Sequence, residues 1–253
     1  MEIGRMTGRQ GLDQGRGTIV FIHGAGGSAW SWLGLLSALG RRFNTLALDL
    51  PGHGQTPGPA PATIEACAEW LARALEELGR ELGFKPDILA GHSMGGAVAQ
   101  ALALAWPGRA RGLVLIGTGA RLAVNPKLLA GLENDFQKTV GLINEWCFHS
   151  GSEALKAESK RLMALSGREV LLADFRACAG FDLVDQVGRI QEPALVITGA
   201  EDKMTPPALG RALAEALPAG RLELVPQAGH MVMVEQPRAT MDLIAAFTEQ
   251  VLG

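Results

Sequence analysis

The sequence contains no tyrosine, and aromatic residues make up only 5% of its 253 positions. No phenol is therefore available to any reaction step. Cysteine is almost as scarce. Cys67, Cys147 and Cys178 are odd in number and lack the spacing of metal ligands. They read as free thiols in a reducing, cytoplasmic setting, with no metal expected. Long apolar runs are missing too. The longest are about ten residues, too short to span a bilayer. No block of like charge stands out, since 23 basic and 26 acidic residues are interleaved for a net charge of -3. Nothing in that balance suggests a nucleic-acid or membrane-surface partner. Residues 1–17 are polar and Gly-rich, without the apolar stretch of a signal peptide.

What is present is ample for one folded unit. Hydrophobic residues form 47% of the chain, enough for a single α/β domain with a real core and modest insertions. Residues 1–17 are expected to form an irregular arm or a short edge hairpin. Thr18-Ile19-Val20-Phe21-Ile22 is a buried strand, continuous, β-branched and aromatic. A helix over Trp30 to Leu39 and a strand over Thr45 to Leu48 follow. A helix from Ile64 to Leu82 carries an apolar stripe at helical spacing. A short buried strand is expected from Asp87 up to an abrupt turn at Ser93, then a helix to about Trp106 and a further strand at Leu113–Ile116. Such alternation with short loops implies a mostly parallel, doubly wound α/β sheet with helices on both faces.

The pattern changes between residues 120 and 189. That stretch is helical and apolar on scattered faces, and reads as an inserted helical lid. Alternation then resumes with strands at Ala194–Thr198 and Leu222–Val225 and helices from Pro207 and Pro237. The expected organisation is a core of residues 1–119 and 190–253, with residues 120–189 as the lid.

Gly91-His92-Ser93-Met94-Gly95 sits between a strand and a helix, the setting of a nucleophile elbow. The chain must reverse so tightly at Ser93 that its flanks carry almost no side chain. Asp202 and His230 also follow the ends of strands, the edge where sites form in open α/β sheets. A serine hydroxyl needs a base to remove its proton, and neutral imidazole suits that task. His230 is the expected base, and Asp202 the group that orients it. Backbone N–H groups of Met94 and of Ala25, in the Gly-rich turn His23-Gly24-Ala25-Gly26-Gly27, are the expected oxyanion donors. Activity should rise as His230 loses its proton, near neutral pH.

Other candidates have plainer readings. His23 and Asp49 look structural, His53 should fasten its Gly-Pro loop, and His92 should point away from the nucleophile. His149 lies in the lid. Glu201 is an alternative to Asp202. Trp30, Phe136 and Trp146 are candidate substrate contacts, with core packing as the competing reading.

Taken together, these motifs resemble the α/β-hydrolase fold family. The resemblance runs from Ile19 to Val251 and rests on His23-Gly24, Asp49-x-x-Gly52-x-Gly54-x-Thr56, Gly91 to Gly96, Gly199-x-x-Asp202 and Gly229-His230. It is nearest to small, lidded bacterial serine esterases and lactonases. It implies a cofactor-free hydrolase, monomeric or homodimeric, acting on a small-to-medium apolar ester through an acyl-enzyme. Lactones, carbon–carbon bonds and thioesters stay open as substrates of the same triad, as does a ligand-binding receptor without turnover. Ser93 stands where epoxide hydrolases and haloalkane dehalogenases of this fold carry a carboxylate. The absence of tyrosine further disfavours epoxide hydrolases, which rely on lid tyrosines. Carbon–carbon bond hydrolases commonly have Trp after the catalytic His, where this chain has Met231.

Overall fold

The computed structural model describes residues 2–8, 13, 16–149 and 153–253. Among them seven strands form one sheet: β1 (Arg5–Thr7), β2 (Thr18–Ile22), β3 (Asn44–Leu48), β4 (Ile88–His92), β5 (Gly112–Ile116), β6 (Ala194–Gly199) and β7 (Gly220–Val225). Their order is β1-β3-β2-β4-β5-β6-β7. Only β1 is antiparallel to its neighbour.

Burial on both faces explains why the central strands are continuous apolar runs. In β2, Ile19 and Phe21 face one helical layer, while Val20 and Ile22 face the other. The first layer holds α1 (Leu33–Leu39) through Leu35, Leu36 and Leu39. The second holds α2 (Ile64–Leu82) through Leu71, Leu75 and Leu78, and α3 (Met94–Ala105) through Val98 and Leu102. Thr63 caps α2 by accepting from Ala66 N–H at 3.1 Å, and Gly83 ends the helix in the left-handed conformation at φ 70°.

Between β5 and β6 the chain leaves the sheet and forms α4 (Pro126–Asn134), α5 (Phe136–Cys147), α6 (Glu153–Ser166) and α7 (Arg168–Gly180). Arg121 and Asp182 pair as an antiparallel bridge where this excursion starts and returns. Leu128, Leu132, Val140, Ile143 and Phe175 give these helices an apolar cluster of their own. The chain then completes α8 (Pro207–Ala216), the four-residue α9 (Val232–Glu235) and α10 (Pro237–Leu252). α10 joins the α1 layer through Ile244 and Phe247.

Several details differ from expectation. The residues ahead of α1 form a 3-10 turn, Ala29–Trp32, which brings Trp32 under the sheet and its ring to 4.9 Å from Phe21. Among the described residues the N-terminal region supplies one edge strand, β1, and the rest of the arm or hairpin expected there, at residues 9–12 and 14–15, lies outside the described part. β7 starts two residues early, and α9 had no separate signal. No helix among the described residues is long and apolar enough to cross a membrane.

The strand order places the site. β3 lies on one side of β2 and β4 on the other, so the loops after β2 and β4 diverge and leave a crevice beyond their C-terminal ends. Truncating Phe21, fully buried between Trp32 and the sheet, should cost about 3–5 kcal/mol. Denaturant unfolding of Phe21→Ala measures this; a loss of less than about 1 kcal/mol would mean the layer repacks freely.

Candidate active site

Ser93 stands in the turn between β4 and α3 with φ 53° and ψ -115°, one of two non-glycine residues at positive φ among those described. Its N–H is tied to Ile116 O of β5 at 2.8 Å. The tight reversal explains the flanking glycines. A Cβ on Gly91 would lie 2.2 Å from Gly95 O, and one on Gly95 would lie 2.3 Å from Ile22 O. Any side chain there would push α3 off the sheet.

Asp202, after β6, and His230, after β7, meet at 2.9 Å between Oδ2 and Nδ1. Both are buried. Thr205 completes the arrangement: its hydroxyl donates to Asp202 Oδ2 at 2.8 Å and lies 3.1 Å from His230 Nδ1. Asp202 Oδ1 accepts the N–H groups of Met204 and Thr205. Burial alone would raise the Asp202 pKa. The nearby His230 charge, the His230 hydrogen bond and those from Thr205 outweigh it and hold the carboxyl below its ordinary value. The Nδ1 proton therefore belongs on the Asp202 side, which leaves Nε2 as the basic nitrogen. Glu201 is not part of this contact; its Oε2 accepts from Ala228 N–H at 3.1 Å.

Ser93 and His230 line one cavity of about 450 Å³ beneath α4–α7, an ordinary size for a small-molecule site. Its floor is the turn Gly24–Gly27 and its walls are mainly apolar, including Leu128, Ile143, Phe148 and Met231. Trp30 and Trp146 lie on this wall. Phe136 does not. Contrary to expectation it faces away from the cavity, buried among the residues joining α4, α5 and α7, with the Arg168 guanidinium 5.9 Å from its ring centre. Neither the Ala25 nor the Met94 N–H donates a hydrogen bond to another described residue. Met94 N–H belongs to the first turn of α3, where helical amides have no internal acceptor.

Hydrogen-bond partners fix the state of the neighbouring imidazoles. His23 Nε2 accepts from Leu50 N–H at 3.0 Å, so Nδ1 carries the proton and donates to Gly24 O at 2.8 Å. His92 Nε2 lies 3.0 Å from His230 O, so it donates there. Burial, reinforced by neighbouring imidazoles, drives His23 well below its ordinary value and His92 down to about 3. Asp49 joins the loops after β2 and β3, taking Ala29 N–H and Gln55 N–H on its two oxygens. His53 reaches further than its own loop, contacting Asp174 of α7 at 2.9 Å between Nε2 and Oδ2. Glu235 of α9 accepts from Gly229 N–H and His149 N–H, tying the His230 loop to the end of α5. His149 is absent from the cavity wall.

The model of the alpha/beta hydrolase family matches residues 19–243. The chain belongs to the alpha/beta hydrolase family. Among solved structures, the chain is similar to a thermophilic esterase, 33% identical with a TM-score of 0.83 over 98% of each chain. It is also similar to a thermophilic esterase from Thermogutta terrifontis, 26% identical with a TM-score of 0.85 over 98% of this chain and 93% of that one. The pimeloyl-[acyl-carrier protein] methyl ester esterase of Aeromonas hydrophila is 29% identical, over 90% of this chain and 94% of that protein. It is thus a member of a hydrolase family with esterase relatives.

Sequence reasoning missed Thr205, Glu235 and Asp174. A Thr three residues after an acid has no distinctive pattern. Asp174 did leave a signal: it shares a helical face with Leu171, Phe175 and Cys178, where a charged residue is out of place without a partner.

The two neutral histidines make stability depend on pH. Each stays unprotonated in the fold but takes up a proton when unfolded below about 6.5. Stability should therefore fall with acidification by about 1.4 kcal/mol per pH unit for each ring. For His92 this continues down to about pH 3. His92→Asn, which keeps a donor for His230 O, should flatten the dependence of unfolding free energy on pH by one proton. An unchanged slope between pH 6 and 5 would contradict the neutral assignment.

Proposed function

We propose that this family member is a serine hydrolase that cleaves a small-to-medium apolar carboxylic ester through an acyl-enzyme. The observation that carries the reading is the Asp202–His230 pair, opening onto the same apolar cavity as Ser93. Ser93 Oγ attacks the ester carbonyl while His230 Nε2 takes its proton. The oxyanion is met by the N–H groups of Ala25 and Met94 and by the positive end of α3. Collapse of the tetrahedral intermediate releases the alcohol, protonated by His230. Water, deprotonated by His230, then frees the acid and restores Ser93. Asp202 holds the Nδ1 proton and stabilises the imidazolium in both halves. No cofactor enters these steps.

Helices α4–α7 act as the cap, and Trp30 and Trp146 as apolar contacts for the acyl or alcohol group. The esterase relatives support the ester reading over thioester or carbon–carbon bond cleavage. A cytoplasmic monomer or homodimer is the form we propose.

A p-nitrophenyl ester series from acetate to laurate, with Ser93→Ala beside wild type, tests the reading. Turnover should show a chain-length optimum and depend on Ser93. More than about one percent residual turnover in Ser93→Ala would overturn the mechanism. A wild type that neither turns over any ester nor is labelled by a fluorophosphonate would indicate a binding protein. Lactone hydrolysis with labelling intact would move the substrate class.

Thr205 should act through His230. Its removal in Thr205→Val should lower kcat about tenfold with little change in KM, and Thr205→Ser should restore most of it. An unchanged kcat in the Val variant would leave Asp202 sufficient alone.

A further inference from the structure

The Ala25 N–H is directed by two neighbouring peptides. Gly24 O accepts from Gly27 N–H at 3.0 Å and from His23 Nδ1–H at 2.8 Å. In a trans peptide the N–H points opposite to the carbonyl, so fixing Gly24 O fixes the direction of Ala25 N–H. The following peptide is held from elsewhere in the chain: Gly26 N–H donates to Asp174 Oδ2 at 2.7 Å. Asp174 comes from α7 of the cap, 148 residues away. Gly26 has φ 63°, and a Cβ there would lie 2.5 Å from Leu171 Cδ1, so the cap helix presses directly on this turn.

The same Asp174 oxygen meets His53 Nε2 at 2.9 Å. The other ring nitrogen, Nδ1, lies 3.0 Å from Pro51 O. Both partners are acceptors: a carbonyl offers no proton, and Asp174 Oδ2 already takes the Gly26 N–H. A neutral imidazole can donate to only one of them. His53 and Asp174 are 1% and 2% exposed, so water does not substitute for either bond.

We propose that Asp174 is a positioning residue for the oxyanion turn, held as a carboxylate by a doubly protonated His53, so that cap and turn form one locked unit. This rests on the oxyanion role proposed for Ala25. It assigns to the cap a part in the chemical step, in addition to shaping the substrate cavity.

The surroundings agree with a charged ring. Burial alone would lower the His53 pKa. The Asp174 hydrogen bond and charge, the Pro51 carbonyl and Asp49 outweigh it, and the net direction is upward. The ionisable groups acting on this pair are few. His23, whose ring centre is 4.7 Å from that of His53, stays neutral. Asp49 adds negative charge from the loop after β3. Cys67 of α2 and Cys178 of α7 feel the Asp174 charge, and burial pushes Cys67 up to about 12 and Cys178 well above its ordinary value, so both remain thiols. The charged pair contributes its full stability below pH 6.5 and loses it as pH rises through the raised value.

The test uses two independent readouts on the full chain. Nitrogen NMR of His53 in wild type should show both ring nitrogens protonated at pH 7; a neutral tautomer there would overturn the proposal. This readout needs no turnover, so it stands apart from the catalytic reading, which Ser93 labelling tests separately. In kinetics with p-nitrophenyl acetate, Asp174→Ala should lower kcat and kcat/KM together by about 10- to 100-fold, with KM unchanged within about twofold. Asp174→Asn retains an acceptor for Gly26 and should recover most turnover at pH 7. The wild-type profile should turn down on the alkaline side as His53 loses its charge, and Asp174→Asn should lack that limb. A rise in KM alone would reduce Asp174 to a substrate-pocket residue and overturn the positioning role. If the Ala variant fails to fold, the Asn profile and the His53 spectrum decide: an alkaline limb unchanged by Asn counts against the pair.

Discussion

The arrangement depends on the backbone of Ser93. A serine at φ 53° is in a conformation that L-residues avoid, at a cost of about 1–3 kcal/mol that the surroundings must outweigh. They do so with ordinary sheet packing. Ser93 N–H is bonded to Ile116 O of β5, while Gly95 brings α3 against the Ile22 and His23 carbonyls at the end of β2. Three adjacent strands therefore share in one strained residue. The same packing brings the turn after β2 beside Ser93, since a Cβ on Gly24 would lie 3.2 Å from Ser93 Cβ. The floor of the cavity is thus a consequence of how closely β2, β4 and α3 approach.

Around that floor, protonation is dictated by hydrogen-bond partners. Four of the five histidines cluster behind or beside Ser93. His23 receives a backbone N–H, which excludes a proton on Nε2. His92 bonds a carbonyl, its buried ring tilted against that of His230. His230 faces a carboxylate and a hydroxyl on one nitrogen, and His53 faces acceptors on both. One residue type thus meets four different sets of partners within a single region. Burial removes water as an alternative partner, so each contact sets a state instead of merely favouring it.

The readable parts of the sequence were those where a local constraint leaves a mark on neighbouring residues. Two-faced burial makes continuous apolar strands, and the tight turn at Ser93 demands flanking glycines, so the sheet and the elbow could be found. Asp202 and His230, which meet at 2.9 Å, drew notice because they follow strand ends. Thr205 left no mark, because its contact with His230 crosses tertiary structure; the burial of Asp174 on the face of Leu171 and Phe175 was legible, but not which groups it would meet. Phe136 shows the opposite failure. An aromatic residue at helical spacing declares burial but not direction, and this one turns into the apolar cluster of α4, α5 and α7. The edge strand β1 was obscured because three residues of pairing need no apolar pattern.

The contacts between α7 and the turn Gly24–Gly27 constrain how such a fold can change its cavity. Side chains such as Leu128, Ile143 and Trp146 face the cavity, and altering them changes its volume without touching the bonds around Gly24. Leu171 and Asp174 are different, because one packs against Gly26 and the other accepts its N–H. A bulkier residue at 171 would press on the turn, and an apolar one at 174 would leave Gly26 N–H and His53 Nε2 buried without partners, each costing about 1–3 kcal/mol. The inner face of α7 is therefore bound to the turn, whereas the cavity-facing side chains of α4 and α5 make no bond to it; α5 is instead tied at its end to the His230 loop, through Cys147 O and Met231 N–H at 3.1 Å. On physical grounds, specificity is more readily altered from the α4–α5 side of the cavity than from α7.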